Sequence, residues 1–317
     1  MSQQWDVVIA GAGPAGLSAA LVLGRACRRV LLCDTGTPRS WASKEMHAFL
    51  SRDGIVPDRF RDISRREVLK YPGVKYSPVE VLGAERVPLG FLVKLAGGKT
   101  VRTRKLLIAT GLFDVLPRIP GIDELFGYSV FQCPYCDGWE MRDRPTAVYG
   151  RGARGLQMAR AMTAWCRDLV LCTDGRARYS PEQRAQLARN DIRIVEKRVA
   201  RLEGSRGRLR AVVFEDGESL PRAALFFDTP SRPQSKLAES LGCQFDRDGG
   251  VLCGEYEATS VPGVFVAGNI IRDVQLSVVA AAEGARAAFG INRALTREDF
   301  DRRATGRRRV EHPRVAS

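Results

Sequence analysis

The sequence predicts an α/β fold of two domains, the second inserted in the first. Three observations predict it. A strand–glycine–helix–strand unit opens the chain, the same unit returns near its middle, and two apolar strands ending in small residues flank the returning copy.

In the opening unit, the strand Trp5-Asp6-Val7-Val8-Ile9-Ala10 leads into Gly11-Ala12-Gly13-Pro14-Ala15-Gly16. An apolar helical stretch follows from Leu17 to Leu23, and Val30-Leu31-Leu32-Cys33 ends at Asp34. The glycines permit a tight turn and let backbone approach a pyrophosphate at the helix N-terminus. The acid, about 20 residues on, is placed to accept from a ribose hydroxyl. Strand, helix and spaced acid together make the G-x-G-x-x-G pattern a specific signal for an adenine dinucleotide.

The second unit reads Ala147-Val148-Tyr149, then Gly150-Arg151-Gly152-Ala153-Arg154-Gly155, a helix from Leu156 to Cys166 and a strand Leu169-Val170-Leu171-Cys172. Residues 7–36 and 147–175 align, an internal repeat of the dinucleotide fold. The copy is either a nicotinamide site built on Gly150, Gly152, Gly155 and Asp174 or a relic that binds no nucleotide. The flanking strands are Leu106-Leu107-Ile108-Ala109-Thr110-Gly111 and Gly263-Val264-Phe265-Val266-Ala267-Gly268-Asn269, whose small residues let backbone approach a cofactor. A last helix, Leu276 to Leu295, is rich in Ala and Gly. The expected architecture is two Rossmann-like, three-layer ββα dinucleotide-binding domains: residues 1–113 and 245–317 form the first, and 114–244 the second. Extended crossings are expected near 113–120 and 243–250.

The 317 residues are 44% hydrophobic and 27% charged, the composition of a soluble globular protein. No signal peptide and no membrane-length apolar run is read, so a cytoplasmic protein with no membrane partner is expected. The net charge of +14 comes from Lys and Arg scattered along the chain, with one dense cluster at Arg307-Arg308-Arg309. That distribution argues for a basic surface that steers an acidic protein partner rather than for nucleic-acid binding.

The chemistry concentrates in Cys133-Pro134-Tyr135-Cys136-Asp137-Gly138. A C-x-x-C pair can open and close a disulfide reversibly. A zinc site would need four ligands. The chain has 2 His, His47 and His312, and its other cysteines form no second C-x-x-C pair, so no metal is expected. Cys27, Cys33, Cys166 and Cys172 read as small core residues of the two units.

The order G-A-G-P-A-G, A-T-G, C-x-x-C-D-G, a second glycine fingerprint and P-G-V-F-x-A-G resembles the low-molecular-weight thioredoxin reductase family from residue 5 to about 295. The resemblance implies FAD in the first domain, bound by Gly11, Gly13, Pro14, Ala15, Gly16 and Asp34. It adds Ala109, Thr110 and Gly111 on one side, and Gly268, Asn269, Gln275 and Leu276 on the other. His47 is expected beside the flavin. Cys136 becomes the flavin-facing sulfur, Cys133 the outer nucleophile and Asp137 the acid–base group. A homodimer is implied, with a thioredoxin-like protein or a small dithiol or disulfide as substrate.

Departures from the family gather at the nicotinamide site. Thr173-Asp174-Gly175 stands where NADPH-using relatives place H-R-R, Arg151 and Pro230 replace glycines, and Asn269 replaces an Asp in the flavin domain. An anion at Asp174 should repel a 2′-phosphate and suit a ribose hydroxyl, which leaves NADP or NAD open as the donor. The first expectation is electron flow from reduced FAD through Cys133–Cys136 to a protein disulfide such as thioredoxin. The alternative is an FAD-dependent dithiol oxidase that closes a substrate disulfide with oxygen as acceptor. A redox sensor without turnover is a third. Residues 296–317, including His312 and Pro313, are expected to form a tail that gates the site.

Overall fold

The computed structural model describes residues 4–304, apart from Thr229 and the side chain of Arg303. The chain opens with β1 (Gln4–Ala10), α1 (Pro14–Arg25), β2 (Val30–Cys33), α2 (Pro57–Val68), β3 (Val74–Ser77), β4 (Val81–Val87), β5 (Gly90–Leu95) and β6 (Thr100–Ile108). Its middle supplies β7 (Leu112–Asp114), α3 (Ile122–Leu125), β8 (Val130–Phe131), α4 (Pro134–Asp137), β9 (Thr146–Tyr149), α5 (Gly152–Met162), β10 (Leu169–Cys172), α6 (Pro181–Arg189) and β11 (Arg193–Val195). There follow β12 (Val199–Ser205), β13 (Arg208–Phe214), β14 (Ser219–Pro221), β15 (Ala224–Phe227), β16 (Ser231–Pro233), α7 (Leu237–Ser240), β17 (Val264–Val266) and α8 (Ser277–Ala304).

One sheet runs β3-β2-β1-β6-β5-β4, with β17 against β6. Its strands β1, β2, β3, β6 and β17 are parallel, while β4, β5 and the start of β6 pair antiparallel. Side chains alternate along β1, as the strand period requires. Val7 and Ile9 enter a core with Leu17 and Leu23 of α1 and Ile291 and Leu295 of α8. Val8 and Ala10 enter a second core with Phe91 and Val93 of β5. Helices, parallel sheet and antiparallel arm therefore form three layers.

The second sheet, β11-β10-β9-β15-β8, is parallel throughout and repeats the plan. Leu171 and Phe226 face Leu156 and Met162 of α5, while Cys172 and Phe227 face Val212 and Phe214 of the antiparallel β12-β13-β14 layer. The α/β fold of two Rossmann-like sheets is thus the one expected. The expected helix Leu156–Cys166 starts earlier, at Gly152, and ends at Met162. Two short strands carry the chain between the sheets: β7 pairs antiparallel with β16, Asp114 opposite Ser231 and Leu112 opposite Pro233. Leu237, Ala238 and Cys243 already pack in the first sheet's core. We therefore propose that the return crossing lies at β16, ahead of the expected 243–250.

The last helix differs most from expectation. It continues past Leu295 to Ala304. Asp299 Oδ2 accepts from Arg28 at 2.6 Å, and Arg28 also donates to Asn292 and Thr296 of the same helix. Arg104, with a side chain 2% exposed, reaches Asp6 at 3.2 Å, Glu298 at 2.9 Å and Asp299 at 2.7 Å. Lys105 pairs with Glu298 as well. The last turns of α8 are thereby bolted to β6 and, through Arg104, to Asp6 of β1. Earlier in α8, a Cβ on Gly284 would lie 2.0 Å from the carbonyl oxygen of Ala15, so only glycine lets α1 and α8 meet this closely. Residues 305–317, and the gate expected there, lie outside the described residues. Among the described residues no helix is long and apolar enough to cross a membrane.

Candidate active site

A cleft of about 800 Å³ opens at the C-terminal ends of β1, β2, β6 and β17, where an open α/β sheet binds its ligands. The first glycine loop forms its floor. Gly11 has φ +107°, and a Cβ there would lie 2.3 Å from the carbonyl oxygen of Ala109; a Cβ on Gly16 would lie 1.9 Å from the carbonyl oxygen of Gly11. At Gly13 a Cβ would meet nothing within 4 Å, so the loop is open toward the cleft. Helix α1 has no side-chain cap and no acid in its first turn, which leaves its N-terminal N–H groups for an anion.

Asp34 ends β2 on the same wall. Its Oδ2 accepts from Arg61 at 2.8 Å and from the Tyr76 hydroxyl at 3.2 Å, while Oδ1 takes only a long 3.4 Å contact from the Ala12 N–H. Oδ1 keeps capacity for a ribose hydroxyl. Thr110 Oγ1 is buried without a partner, between Ala109 and Gly111 on the cleft wall. Open glycine loop, bare helix start, spare carboxylate oxygen and orphan hydroxyl all fit FAD.

Gly268, Asn269, Gln275 and Ser277 line the cleft too, and a Cβ on Gly268 would lie 3.1 Å from that of Ala15. The Gly268 N–H donates to Glu283 Oε2 at 2.6 Å. Burial pushes the Glu283 carboxyl up to about 7, with Glu257 and Asp273 adding to the rise. Leu276 does not reach the cleft wall; its carbonyl accepts from Ala280 in the first turn of α8.

The second domain brings the redox pair over this cleft. Cys133 caps α4, a single turn that carries Cys136 and Asp137, and all three residues line the cleft. The two cysteines form a disulfide. The Cys136 N–H donates to Cys133 Sγ at 3.1 Å, a bond that would steady a thiolate at Cys133 after reduction. Burial pushes the Asp137 carboxyl up to about 7; Glu140 raises it further and His47 opposes them. Glu140, three residues beyond Asp137, is a participant the sequence reading missed, although one helical turn of spacing hinted at it.

His47 stands just off the cleft wall. Its neighbour Met46 lines the cleft and His47 does not. The imidazole lies among carboxylates: Nε2 is 3.4 Å from Glu45 and 3.6 Å from Glu140, and Nδ1 is 3.6 Å from Asp53. Asp53 also accepts from the Ala48 N–H, which fixes this turn beside Glu140. His47 acts electrostatically on Asp137 across this cluster.

The second glycine loop has the backbone of a nucleotide site but not its side chains. Arg151 folds back, Nε donating to the Thr173 carbonyl at 3.0 Å and a terminal nitrogen to Asp174 Oδ2 at 2.6 Å. Asp174 Oδ1 accepts from the Val199 N–H at 3.0 Å. Both carboxylate oxygens of the expected ribose acceptor thus have a donor from this chain. Neither Gly150, Gly152, Gly155 nor Asp174 lines the cleft; Arg154 and Gln157 of α5 do. A Cβ on Gly152 would meet nothing within 4 Å, so the loop backbone itself is open.

Cys33, Cys166 and Cys172 are buried as expected, and burial pushes Cys33 and Cys172 up to about 12, which keeps them inert. Cys27 is exposed instead, at φ +57° just after α1, where the helix ends and no core faces it. Among the described residues no group of three or more His, Cys, Asp or Glu could hold a metal ion.

Comparison with known proteins bears on the same cleft. The family profile described as pyridine nucleotide-disulphide oxidoreductase matches residues 5–284. The chain belongs to this family. Within it, the similarity is to low-molecular-weight thioredoxin reductases. The Claviceps purpurea protein named thioredoxin reductase tcpT is 32% identical over 278 residues, 83% of this chain and 86% of its own length. The crystal structure of a putative thioredoxin reductase TrxB from Bacillus anthracis is 33% identical with a TM-score of 0.88, over 93% of this chain and 99% of that one. The crystal structure of HlmI is 36% identical with a TM-score of 0.92, over 96% and 98%. As a member of this pyridine nucleotide-disulphide oxidoreductase family, the chain is a thioredoxin reductase-like FAD oxidoreductase.

Proposed function

We propose that this chain passes an electron pair between FAD and a thiol or disulfide substrate through Cys133–Cys136. The observation that carries the reading is that the disulfide and Asp137 line the same cleft as the glycine loop, Thr110 and Asn269. When bound, FAD supplies a two-electron store between the cysteine pair and a second electron partner. Gly11, Gly13, Pro14, Ala15, Gly16 and Asp34 would hold its dinucleotide part; Ala109, Thr110, Gly111, Gly268, Asn269 and Gln275 would flank the rest.

The protein residues then do thiol exchange. In the dithiol-oxidising direction a substrate thiolate attacks one sulfur of Cys133–Cys136, the S–S bond breaks and a mixed disulfide forms. The second substrate thiol closes the substrate disulfide and leaves both cysteines reduced. Cys133 serves as the outer sulfur and Cys136 as the one facing the flavin. Asp137 takes the proton of the incoming thiol and returns one to the leaving sulfur, a task suited to a group near pH 7.

The names of the relatives support the reductase direction, with a thioredoxin-like protein as acceptor. The Arg151–Asp174 pair, which occupies groups expected at a nicotinamide ribose and adds an anion where a 2′-phosphate would lie, favours the reverse, with a dithiol as donor and oxygen as the acceptor to be tested. We adopt dithiol oxidation as the direction the geometry supports. The family resemblance also supports a cytoplasmic homodimer. Steady-state assays with reduced thioredoxin and with a small dithiol, following oxygen uptake, test the direction. Oxygen uptake in proportion to disulfide formed is expected; NADPH-driven disulfide reduction without it would reverse the direction while leaving the site intact.

A further inference from the structure

Four polar side chains on the cleft wall form one bonded group that spans both domains. Arg39, from the loop after β2, clasps Asp114 of β7 with two bonds of 2.6 Å, one to each carboxylate oxygen. Arg39 also donates to Gln275, just ahead of α8. Gln132, next to Cys133, donates to the same Asp114 at 2.6 Å. The Arg39 side chain is 22% exposed and that of Asp114 is 9% exposed. Asp114 lies on one of the two strands that carry the chain between domains, opposite Ser231.

We propose that Arg39 and Asp114 are positioning residues that hold the Cys133–Cys136 turn over the flavin cleft. The inference rests on the proposed function and adds to it how the disulfide is kept in register. A three-residue strand pair is a weak connection between two domains. A bidentate arginine–carboxylate pair is among the stronger and more directional polar contacts, and here it is largely shielded from water. Because Gln132 precedes Cys133 directly, its bond to Asp114 sets the direction in which the disulfide turn leaves β8. Because Arg39 also holds Gln275, the same guanidinium references that turn to the segment leading into α8. No bond from Arg39 or Asp114 to the disulfide is needed; they act through Gln132 and β7.

The test uses full-length holoenzyme, wild type against Asp114→Asn, Arg39→Met, Arg39→Lys and Gln132→Ala, with every signal scaled to bound flavin. Each protein is reduced anaerobically with dithiothreitol. Two signals are read: the rate of flavin bleaching and the long-wavelength absorption of a thiolate against oxidised flavin. In Asp114→Asn and Arg39→Met both should fall roughly tenfold or more, the scale expected when reacting groups are misplaced. Arg39→Lys should behave like Arg39→Met, since lysine keeps the charge but not the fork. In flavin-free protein the reduced cysteines of these variants should react faster with a small aromatic disulfide, since the turn is released. Gln132→Ala removes one bond only and should show an intermediate loss if the other variants fold poorly. Wild-type absorption and rate in Asp114→Asn or Gln132→Ala would overturn the proposal. So would flavin release by Arg39→Met alone, which would make Arg39 a flavin ligand. A wild type that carries flavin but passes no electrons from dithiothreitol would sink the functional reading itself, and the positioning role with it.

Discussion

At the scale of single residues, Asp137 has the most consequential environment. An ordinary aspartate would be ionised throughout the neutral range and could only accept a proton. Burial and Glu140 bring Asp137 to about 7, so it can both give and take one. Asp137→Asn should slow thiol-to-flavin transfer by ~10²–10⁴-fold and remove the limb of the pH–rate profile near 7, read by rapid mixing. The stability consequence has a definite sign. A carboxyl whose folded pKa lies above its unfolded value binds protons preferentially in the folded state, so stability falls as pH rises from about 4 through about 7. In the flavin-free protein Asp137→Asn should therefore be the more stable form above pH 7 and lose that advantage toward pH 4, by at most roughly 4 kcal/mol, checked by denaturant melts across pH. His47 opposes the rise. His47→Ala should move the kinetic midpoint upward; an unmoved midpoint would detach His47 from the acid.

Element-scale behaviour turns on α8. The sequence between Leu295 and Gly306 holds neither glycine nor proline, so no local signal stopped the helix at 295. What fixes the extra turns is long-range: Arg104 is buried against Asp6, Glu298 and Asp299. Burial alone would raise the carboxyls of Glu298 and Asp299, yet bonds to Lys105, Arg104 and Arg28 outweigh it and hold both below their ordinary values. Their contribution is present above the unfolded carboxylate range and is lost as pH falls through the lowered values. Arg104→Met removes the cation that three carboxylates share, and leaves each with one other donor: Arg29 for Asp6, Lys105 for Glu298 and Arg28 for Asp299. It should cost about 1–3 kcal/mol in a chemical melt. A chain ending at residue 295 should lose comparable stability.

The glycine loops were legible because their requirements are local. Gly11 and Gly16 are demanded by backbone contacts within the first turn or to the adjoining strand, and strand, helix and acid follow in fixed order. The replacement of a glycine by Arg151 was equally visible. Its closure on Asp174 was not, because that contact spans two loops and depends on the φ of +50° at Asp174. Arg39 and Asp114 stand 75 residues apart with no motif around either, and only the fold brings them together. The cysteine pair could be read for chemistry, while its placement over the glycine loop needed both sheets.

For the whole molecule, the proposed function is one circuit of thiol substrate, Cys133–Cys136 and FAD, with NADPH proposed as a poor donor. Thr173-Asp174-Gly175 offers no charge-assisted bond to a 2′-phosphate, each of which is worth on the order of 1.5–3 kcal/mol, so NADPH is expected to be the poorer donor. The decisive measurement is anaerobic rapid mixing of the oxidised holoenzyme with a dithiol in one series and micromolar NADPH in another, following the flavin's visible absorption. The dithiol should bleach the flavin, Cys133→Ser and Cys136→Ser should each abolish that bleaching, and NADPH should act far more slowly. Fast bleaching by NADPH, or bleaching by the dithiol that survives loss of either cysteine, would contradict the circuit.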